Sequence, residues 1–393
     1  MMLLKPILCL TAALSASATI LPSWDQLAVD SGLALAGLNG IALLSALGNF
    51  GGGCTPANVK IRQEWRTLTS TQRKNYISAA KCIIASKSLF PAGQVPGSFS
   101  LFDDFVWVHL NQTLNIHLTG TFLTWHRYYI HVYEQKLKAC GYTGNLPYWE
   151  WGLDVNSPRD SPIFDGSDTS LGSDGAAVSH PGLQLQLPAA TSVLSLPPGT
   201  GGGCVNKGPF KDITLHLGPV ALPIYGSLNF TSAANPSLNN PRCLKRDLNP
   251  YVLKRYSSFR NTTELITSYN NVELFQAIMQ GDGRYLTYPS LGVHGGGHFT
   301  MGGDPGADPF ISPNDPAFFL HHGQIDRVFW IWQMLDFTNR RGVSGTNTFL
   351  NFPPSANTTV NDLIDIAPLS ADKPQIKSLM NTVGGTPFCY VYI

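Results

Sequence analysis

A chain of 393 residues is long enough to bury a large core, either as one large domain or as two smaller ones. The formal net charge is +1 and only 13% of the residues are charged, which excludes the basic stripe of a nucleic-acid-binding protein and a long acidic tail. Hydrophobic residues at 43% and aromatic residues at 11% exclude a disordered chain and indicate a compact globular protein.

The N-terminus, "MMLLKPILCLTAALSASA", has the pattern of a secretory signal peptide. Lys5 supplies the positive charge, an apolar run follows, and small residues form a cleavage site before Thr19. We therefore predict a signal peptide at 1–18 and a secreted protein, with a buried first helix as the alternative. The next apolar stretch, "GLALAGLNGIALLSALG" from Gly32, is shorter than the roughly 20 residues of a membrane span. We expect a packed or later-trimmed helix there, in an N-terminal segment at 19–53, and no membrane partner.

Cysteine content agrees with export. Without Cys9, which falls in the signal peptide, six cysteines remain, and an even number in a secreted chain indicates disulfides. Fifteen pairings exist for six cysteines. Chain order favours pairs that bracket two predicted helices, close a loop-rich insert and tie the two ends: Cys82–Cys140, Cys204–Cys243 and Cys54–Cys389. Four glycosylation sequons agree with secretion as well: Asn111, Asn229, Asn261 and Asn357.

Helical patterns come in two blocks around a long insert. In the first block, Thr69 and Gln72 form a capping-box pattern before a helix that continues through Ile83. Two more helices are predicted over "FDDFVWVHLNQTL" and "TWHRYYIHVYEQKLKAC", the latter stopped by Gly141. Residues 155 to about 250 are rich in Gly, Ser, Pro and Asn, which predicts loops with short strands around "ITLHLG". Helical patterns return at "TELITSYNNVELFQAIMQG" and "DPAFFLHHGQIDRVFWIWQMLD".

Eight of the ten histidines lie in these helical blocks. They form two clusters, His109, His117, His126 and His131, and then His294, His298, His321 and His322. In "GVHGGGHFTMGGDP" the pair His294 and His298 is four residues apart, so on a helix both rings can face one metal ion. His321 and His322 point about 100° apart on the next helix, so only one of them can face that pair. We select His322 as the ligand and His321 as a packed neighbour.

The first cluster also offers three ligands. His126 lies on a predicted helix, His109 on the helix before it, and His117 in the connection, whereas His131 points to another face. Six imidazoles without a carboxylate or thiolate suit copper, zinc, iron or nickel rather than magnesium or calcium. A zinc peptidase would carry a glutamate at Gly295 as its general base. Two facing sets of three histidines fit a pair of copper ions best, and scattered core histidines are the alternative.

These residues resemble the type-3 copper proteins, which are tyrosinases, catechol oxidases and haemocyanins of the molluscan kind. "FLTWHRYYI" is similar to the block of the first copper, and "NLPYWEW" to the aromatic motif that follows it. "DPAFFLHHGQIDRVFWIWQ" is similar to the helix that carries the third ligand of the second copper. "EWRTLTSTQRKNYISAAKCI", with the signal peptide and the six cysteines, resembles the short secreted fungal polyphenol oxidases. The resemblance covers roughly residues 54–390.

The resemblance implies a mainly α fold, with a four-helix bundle around a dinuclear copper site and long loops and a few short strands outside it. It implies a single copper domain at 54–393. It implies two sets of copper ligands, His109, His117 and His126 for the first ion and His294, His298 and His322 for the second. The implied partners are phenols and dioxygen, and the implied reaction oxidises o-diphenols to o-quinones while dioxygen is reduced to water. A full tyrosinase, an o-aminophenol oxidase and, less favoured, a haemocyanin-like oxygen carrier are the alternatives.

The chain departs from its relatives at several positions. Asn115 stands where many fungal members have a cysteine that forms a thioether to the second histidine, so no thioether is expected. Gly295 stands where several strong monophenolases have an asparagine that holds a basic water, and Phe299, expected in the substrate pocket, is apolar. We therefore expect efficient diphenol oxidation and weak monophenol hydroxylation. Only 71 residues follow His322, too few for the C-terminal shielding domain of latent tyrosinases, so none is expected.

Three further expectations concern the surroundings of the coppers. Gly295, Gly296 and Gly297 have no side chains and would let a flat phenol approach the second copper, with close helix packing as an equal alternative. Asp326, one turn after the third ligand of that copper, is expected to hold a ring or the adjacent chain. Asn111 is expected to face outward, because it lies two helical positions, about 200°, after a ligand that faces inward.

Overall fold

The computed structural model describes residues 23–221 and 233–393. Within these residues, five helices precede the insert: α1 (Gln26–Ser31), α2 (Leu33–Leu47), α3 (Ser70–Ala85), α4 (Leu101–Ile116) and α5 (Phe122–Ala139). Six follow it: α6 (Pro250–Tyr256), α7 (Phe259–Ser268), α8 (Val272–Gln280), α9 (Gly292–Met301), α10 (Gly303–Gly306) and α11 (Phe318–Met334). The predicted signal peptide and Asn229 lie outside the described residues.

The described strands are short and pair two by two. They are β1 (Lys60–Arg62), β2 (Gly175–Ala177), β3 (Leu183–Leu185), β4 (Leu194–Leu196), β5 (Gly202–Val205), β6 (Thr214–Leu215), β7 (Arg242–Cys243) and β8 (Tyr390–Tyr392). β1 pairs in parallel with β8, and the pairs β2–β5, β3–β4 and β6–β7 are antiparallel. No sheet among the described residues exceeds two strands, so the core is built by helices, which confirms the mainly α prediction.

Local capping sets where the helices near the first histidine cluster begin. The predicted capping box of α3 is present, with the Thr69 and Gln72 side chains each accepting a backbone N–H. A second box that the sequence reasoning missed, formed by Ser100 and Asp103, starts α4. Gly141 follows the end of α5 with φ +86°, a left-handed conformation that suits glycine and stops the helix.

The centre of the molecule is α11, whose residues are all buried. It contacts α5 and α9, and α5 contacts α4, so these four helices surround one interior. A helix that is buried on all sides has no polar face, so the hydrophobic periodicity of α11 is weak. The sequence nevertheless predicted a helix there. The charged groups inside, Arg127 and Asp326, pair with each other.

The N-terminal segment includes a packed helix. α2 lies against α11, α7 and β8, and its Asn39 is only 6% exposed. The Asn39 Oδ1 accepts a hydrogen bond from Arg327 Nε at 3.1 Å, and its Nδ2 donates to the Tyr392 carbonyl at 3.1 Å. This helix therefore seals one side of the helical core. None of the helices in the described part of the chain is both long and apolar enough to cross a membrane.

The six cysteines form three disulfides, which are the pairs expected from chain order. Cys82–Cys140 joins the ends of α3 and α5, Cys204–Cys243 joins β5 to β7, and Cys54–Cys389 joins the two ends of the domain. Among the sequons, Asn111 and Asn357 are exposed, as the helical phase of Asn111 predicts. Asn261 is half-buried, and its Oδ1 accepts hydrogen bonds from Ser258 at the start of α7.

Candidate dinuclear metal site

The first set of histidines is held by backbone carbonyls. His109 lies on α4, His117 is the residue that ends α4, and His126 lies on α5. Each Nδ1 bonds a carbonyl oxygen, of Phe310 at 2.9 Å, Thr113 at 3.0 Å and Phe122 at 2.8 Å, respectively. A carbonyl only accepts, so each Nδ1 carries the proton and each Nε2 keeps its lone pair. The buried Nε2 atoms of His109 and His126 have no hydrogen-bond partner.

The second set lies on α9 and α11. His294 and His298 are one turn apart on α9, and His322 lies on α11. The Nε2 atom of His298 is 3.2 Å from the Nε2 atom of His294 and 3.2 Å from that of His322. Three imidazole nitrogens that converge in this way form the donor set of a metal ion.

The two sets face each other across the interior. The rings of His126 and His322 stack with centroids 4.5 Å apart and planes 16° apart. The rings of His117 and His294 also stack, at 5.7 Å and 29°. The two groups are therefore the two halves of one centre, contributed by four helices.

Burial keeps these imidazoles neutral. It lowers the pKa of His117 to about 4, and it lowers the pKa values of His109, His126, His294, His298 and His322 well below their ordinary value. A metal ligand must be deprotonated, so these groups are ready to bind at neutral pH. Six neutral nitrogen donors without a carboxylate fit a pair of copper ions.

Two other histidines of the clusters have different surroundings. His321 lies beside the second set, with its ring 4.4 Å from that of His298 and 5.3 Å from that of Trp151 between centroids, and its donor atoms fall in the same group as those of His294, His298 and His322. Its neighbour His322 has a ring that stacks on His126 of the first set. His131 packs against Phe388, at 4.9 Å between ring centroids, away from both groups.

The three consecutive glycines of α9 have two different roles. Gly295 lines a cavity, and a Cβ there would meet only Leu291 of its own helix, at 3.2 Å. A Cβ at Gly296 would overlap Ser257 at the end of α6, and one at Gly297 would overlap the ring of His321. The prediction that Gly296 and Gly297 line the substrate pocket is therefore wrong, because these two permit close packing of α9 against α6 and α11.

Asp326 holds the adjacent chain rather than a ring. Its carboxylate accepts hydrogen bonds from Arg127 Nε at 2.5 Å and from the Tyr390 and Tyr392 hydroxyls at 2.6 Å each. Arg127 directly follows His126 on α5, so Asp326 ties together the two helices whose histidines stack. Asn115, which replaces the thioether cysteine, donates to the carbonyl of Asn347 at 3.0 Å.

A cavity of about 580 Å³ opens onto three of the six rings, His117, His294 and His298. Gly295 and Phe299 are among the residues that line it. Its outer walls come from a hairpin in the insert, 185–189, and from a loop near the C-terminus that includes Leu350. Sequence reasoning missed both walls, since they are apolar loop residues without a motif and far from the histidines in the chain.

Comparison with known proteins agrees with this geometry. The common central domain of tyrosinase matches residues 100–335. Tyrosinase P of Aspergillus terreus is 38% identical over 346 residues, which cover 84% of this chain and 91% of that protein. N-acetyl-6-hydroxytryptophan oxidase of Emericella nidulans is 35% identical over 352 residues, covering 86% and 93%. A variant of the polyphenol oxidase from Thermothelomyces thermophila superposes with a TM-score of 0.84 at 36% identity, over 91% of this chain and 97% of that one.

Proposed function

Because the chain belongs to the tyrosinase family of dinuclear copper oxidoreductases, we propose that it is a polyphenol oxidase that converts o-diphenols to o-quinones while dioxygen is reduced to water. The observation that supports this most directly is the pair of facing three-histidine sets at the floor of an open cavity. We assign the first copper to His109, His117 and His126 and the second to His294, His298 and His322. Bound there, the copper pair supplies the two-electron exchange between the diphenol and dioxygen.

Two phenylalanines pack against four of the six rings. Phe318 stacks on His322 with centroids 4.1 Å apart and meets His109 edge-on at 5.5 Å. Phe122 meets His126 at 5.0 Å and His294 at 4.9 Å. These apolar contacts fix ring orientation and leave the cavity as the approach for a phenol.

The cavity favours a diphenol over a monophenol. None of the described residues that line it is a carboxylate, and the only described ionisable side chains there are the histidines assigned to the coppers. Hydroxylating a monophenol first requires loss of a phenolic proton with a pKa of about 10, and no described side chain is placed to assist. A full tyrosinase or an o-aminophenol oxidase would use the same six histidines.

Oxygen uptake with 4-tert-butylcatechol tests the proposal. The copper-loaded protein should consume oxygen catalytically and produce the quinone, which can be followed by its visible absorbance. Reversible oxygen binding without turnover would instead indicate a carrier. A single ion per chain, or full activity with zinc in place of copper, would overturn the dinuclear assignment.

We further propose that the mature protein is secreted after removal of residues 1–18 and carries glycans at Asn111 and the other sequons. The three disulfides support this proposal, because disulfides form and persist in oxidising compartments. Sequencing the N-terminus of protein collected from the medium of a eukaryotic host tests the cleavage, and peptide mass mapping tests the glycans. An unmodified Asn111 beside occupied sequons would contradict the outward geometry of this residue.

A further inference from the structure

The cavity beside His294 and His298 has apolar walls. Six leucines line it, Leu114, Leu118, Leu185, Leu187, Leu291 and Leu350. None of its described lining residues is Asp, Glu, Lys or Arg. Residues 222–232, which lie outside the described part of the chain, read "LPIYGSLNFTS" and contain no charged residue either. Apart from the proposed metal site at its floor, the described lining of the cavity therefore offers a charged substituent no side chain of opposite charge.

The neutral polar side chains of the walls are few and are partly engaged. They are Thr113, Gln186, Gln280 and Ser290, and each is hydrogen-bonded to a backbone group of the protein. Gln280 uses both ends of its amide, since Oε1 accepts from the Leu118 N–H at 2.8 Å and Nε2 donates to a backbone carbonyl at 3.2 Å. A carboxylate or ammonium group brought against these walls would therefore exchange its hydration for neutral hydrogen-bonding groups alone, with no charged side chain to pair with.

The walls are held in an uncommon backbone conformation. Leu118, Ala189 and Leu350 line the cavity with φ values of +50°, +55° and +52°, in the left-handed region that side-chain-bearing residues seldom adopt. The fourth such residue that the structure describes, Asn351, is the next residue after Leu350. Strain of this kind persists where surrounding contacts fix the backbone, and it concentrates at ligand sites. This conformation at three wall positions supports a binding role for the apolar cavity.

We propose, on the basis of the oxidase function proposed above, that this enzyme selects uncharged phenols with a bulky apolar substituent and discriminates against phenols that carry a carboxylate or an ammonium group. A cavity of about 580 Å³ is in the size range of sites for drug-sized ligands, which leaves room beyond a single phenol ring. An alkyl substituent gains by contact with the leucine walls, whereas an amino-acid side arm such as that of tyrosine must leave an ion unpaired.

A matched pair of substrates tests this selectivity. The methyl ester of 3-(3,4-dihydroxyphenyl)propanoic acid should be oxidised with a kcat/KM at least about tenfold higher than the free acid at neutral pH. Along the series from 4-methylcatechol to 4-butylcatechol, kcat/KM should rise by up to about fourfold per methylene, mainly through KM. Equal values for ester and acid, or a flat alkyl series, would overturn the proposal.

A lysine placed in the wall should reverse the preference. Leu114 is 51% exposed on α4 and Gln186 is exposed in the hairpin, so Leu114→Lys and Gln186→Lys should fold normally. Either variant should raise the acid-to-ester ratio of kcat/KM by about tenfold, whereas Leu363→Lys, at a similarly exposed leucine outside the cavity, should leave it unchanged. If both wall variants keep the wild-type ratio, the cavity does not select by charge.

Binding measured without turnover separates this proposal from the proposed function. Calorimetry on the copper-loaded protein under argon should show that 4-butylphenol binds at least about tenfold more tightly than 4-(3-carboxypropyl)phenol. If no catechol is oxidised but this preference is found, the oxidase function fails and the ligand class stands. If catechols are oxidised and both phenols bind equally, the ligand class fails and the oxidase function stands.

Discussion

The imidazole rings of His126 and His322 stack across the centre of the molecule, with centroids 4.5 Å apart and planes 16° apart. One ring belongs to each histidine set, and each is carried by a fully or almost fully buried helix, α5 or α11. A ring assigned to the first copper therefore packs directly on a ring assigned to the second. Loss of either ring should disturb both ions rather than one.

His126→Ala should leave at most one copper per chain and lower catechol oxidation by more than about 100-fold. Replacing a residue that only orients a metal ligand already lowers metal affinity or activity by about 10–100-fold, and loss of a ligand should cost more. Metal analysis of the purified variant checks the stoichiometry, and circular dichroism checks that the fold is kept. His131→Ala is the matched control, because His131 is also a buried histidine of α5 but packs against Phe388. Two coppers in His126→Ala would show that this ring is not a ligand.

Gly295→Asn should raise the ratio of monophenol to diphenol activity by about tenfold or more. The cavity can accept the side chain, since a Cβ at Gly295 meets only Leu291, and an amide there can hold a water beside the second histidine set. A positioned base accelerates proton removal by roughly 10²–10⁴-fold. Rates with 4-tert-butylphenol and 4-tert-butylcatechol give the ratio, and Gly295→Ala controls for the added carbon. A wild-type enzyme that oxidises both equally fast, without a lag, would refute the role assigned to Gly295.

Gly297→Ala should destabilise the fold by about 1–3 kcal/mol, because the new methyl overlaps the buried His321 ring. Gly295→Ala adds the same methyl group on another face of α9, where only Leu291 must shift. Because alanine has a better helix propensity than glycine, the free energy of unfolding of this variant should be equal to that of the wild type or slightly higher. Urea unfolding of the two variants measures the difference. The reverse order of stabilities would mean that α9 packs differently from the structure.

Local signals explain which parts of this fold could be predicted. The capping box of Thr69 and Gln72 and the glycine after α5 are encoded within a few residues, and both helices are found where they were expected. The spacing of His294 and His298 is likewise a property of one helix turn, and the difference in phase between His321 and His322 is a property of one helix. These inferences required no knowledge of the tertiary arrangement.

Other features depend on contacts between distant segments. The carbonyl that holds His109 belongs to Phe310, and a backbone carbonyl carries no sequence signal. The packing roles of Gly296 and Gly297 are set by α6 and α11, which approach α9 only in the folded chain. For the same reason Leu350 could not be placed in the cavity wall from sequence. Periodicity predicts which face of a helix is buried, but not what it is buried against.

Glu64→Gln should remove part of the pH dependence of stability. Burial raises the pKa of Glu64 from its ordinary value of 4.5 to about 7, so the folded protein holds a proton that the unfolded chain releases. The stability contributed by this group is complete below pH 4.5 and is lost as pH rises to 7, by about 3 kcal/mol in total. The variant keeps an oxygen for the Arg66 N–H, which Glu64 Oε2 accepts at 2.6 Å, without this loss.

Urea unfolding of the wild type and Glu64→Gln at pH 5 and pH 7.5 measures the effect. The variant should be about as stable as the wild type near pH 5 and more stable by up to about 3 kcal/mol at pH 7.5. Using the difference between the two proteins cancels the titration of all other groups. Parallel pH profiles would show that Glu64 titrates normally in the folded protein.

Asp326→Asn should be the most damaging of these substitutions to stability. Burial alone would raise the pKa of Asp326, but the guanidinium groups of Arg127 and Arg62 outweigh it and lower the pKa below its ordinary value. Replacing the carboxylate by an amide leaves the buried Arg127 guanidinium without its carboxylate partner, while Arg62 keeps its ion pair with Glu134, and the loss costs about 3–5 kcal/mol at neutral pH. A group with a lowered folded pKa contributes its stability above the unfolded pKa and loses it as pH falls through the folded pKa. The loss of folding stability caused by Asp326→Asn should therefore become smaller in strong acid.

The same substitution tests how the site is supported. Asp326 lies one turn after His322, and Arg127 adjoins His126, so a loosened contact between them should let the two stacked rings separate. We expect Asp326→Asn to bind copper more weakly by about 10–100-fold, as for other partners that orient metal ligands. Tyr392→Phe removes a hydroxyl that donates to Asp326 and accepts from Arg62 Nη1, but it keeps the charge of Asp326, so it should cost about 1–2 kcal/mol of stability and leave copper affinity nearly unchanged. Equal losses of copper affinity in the two variants would mean that the charge of Asp326 does not position the histidines.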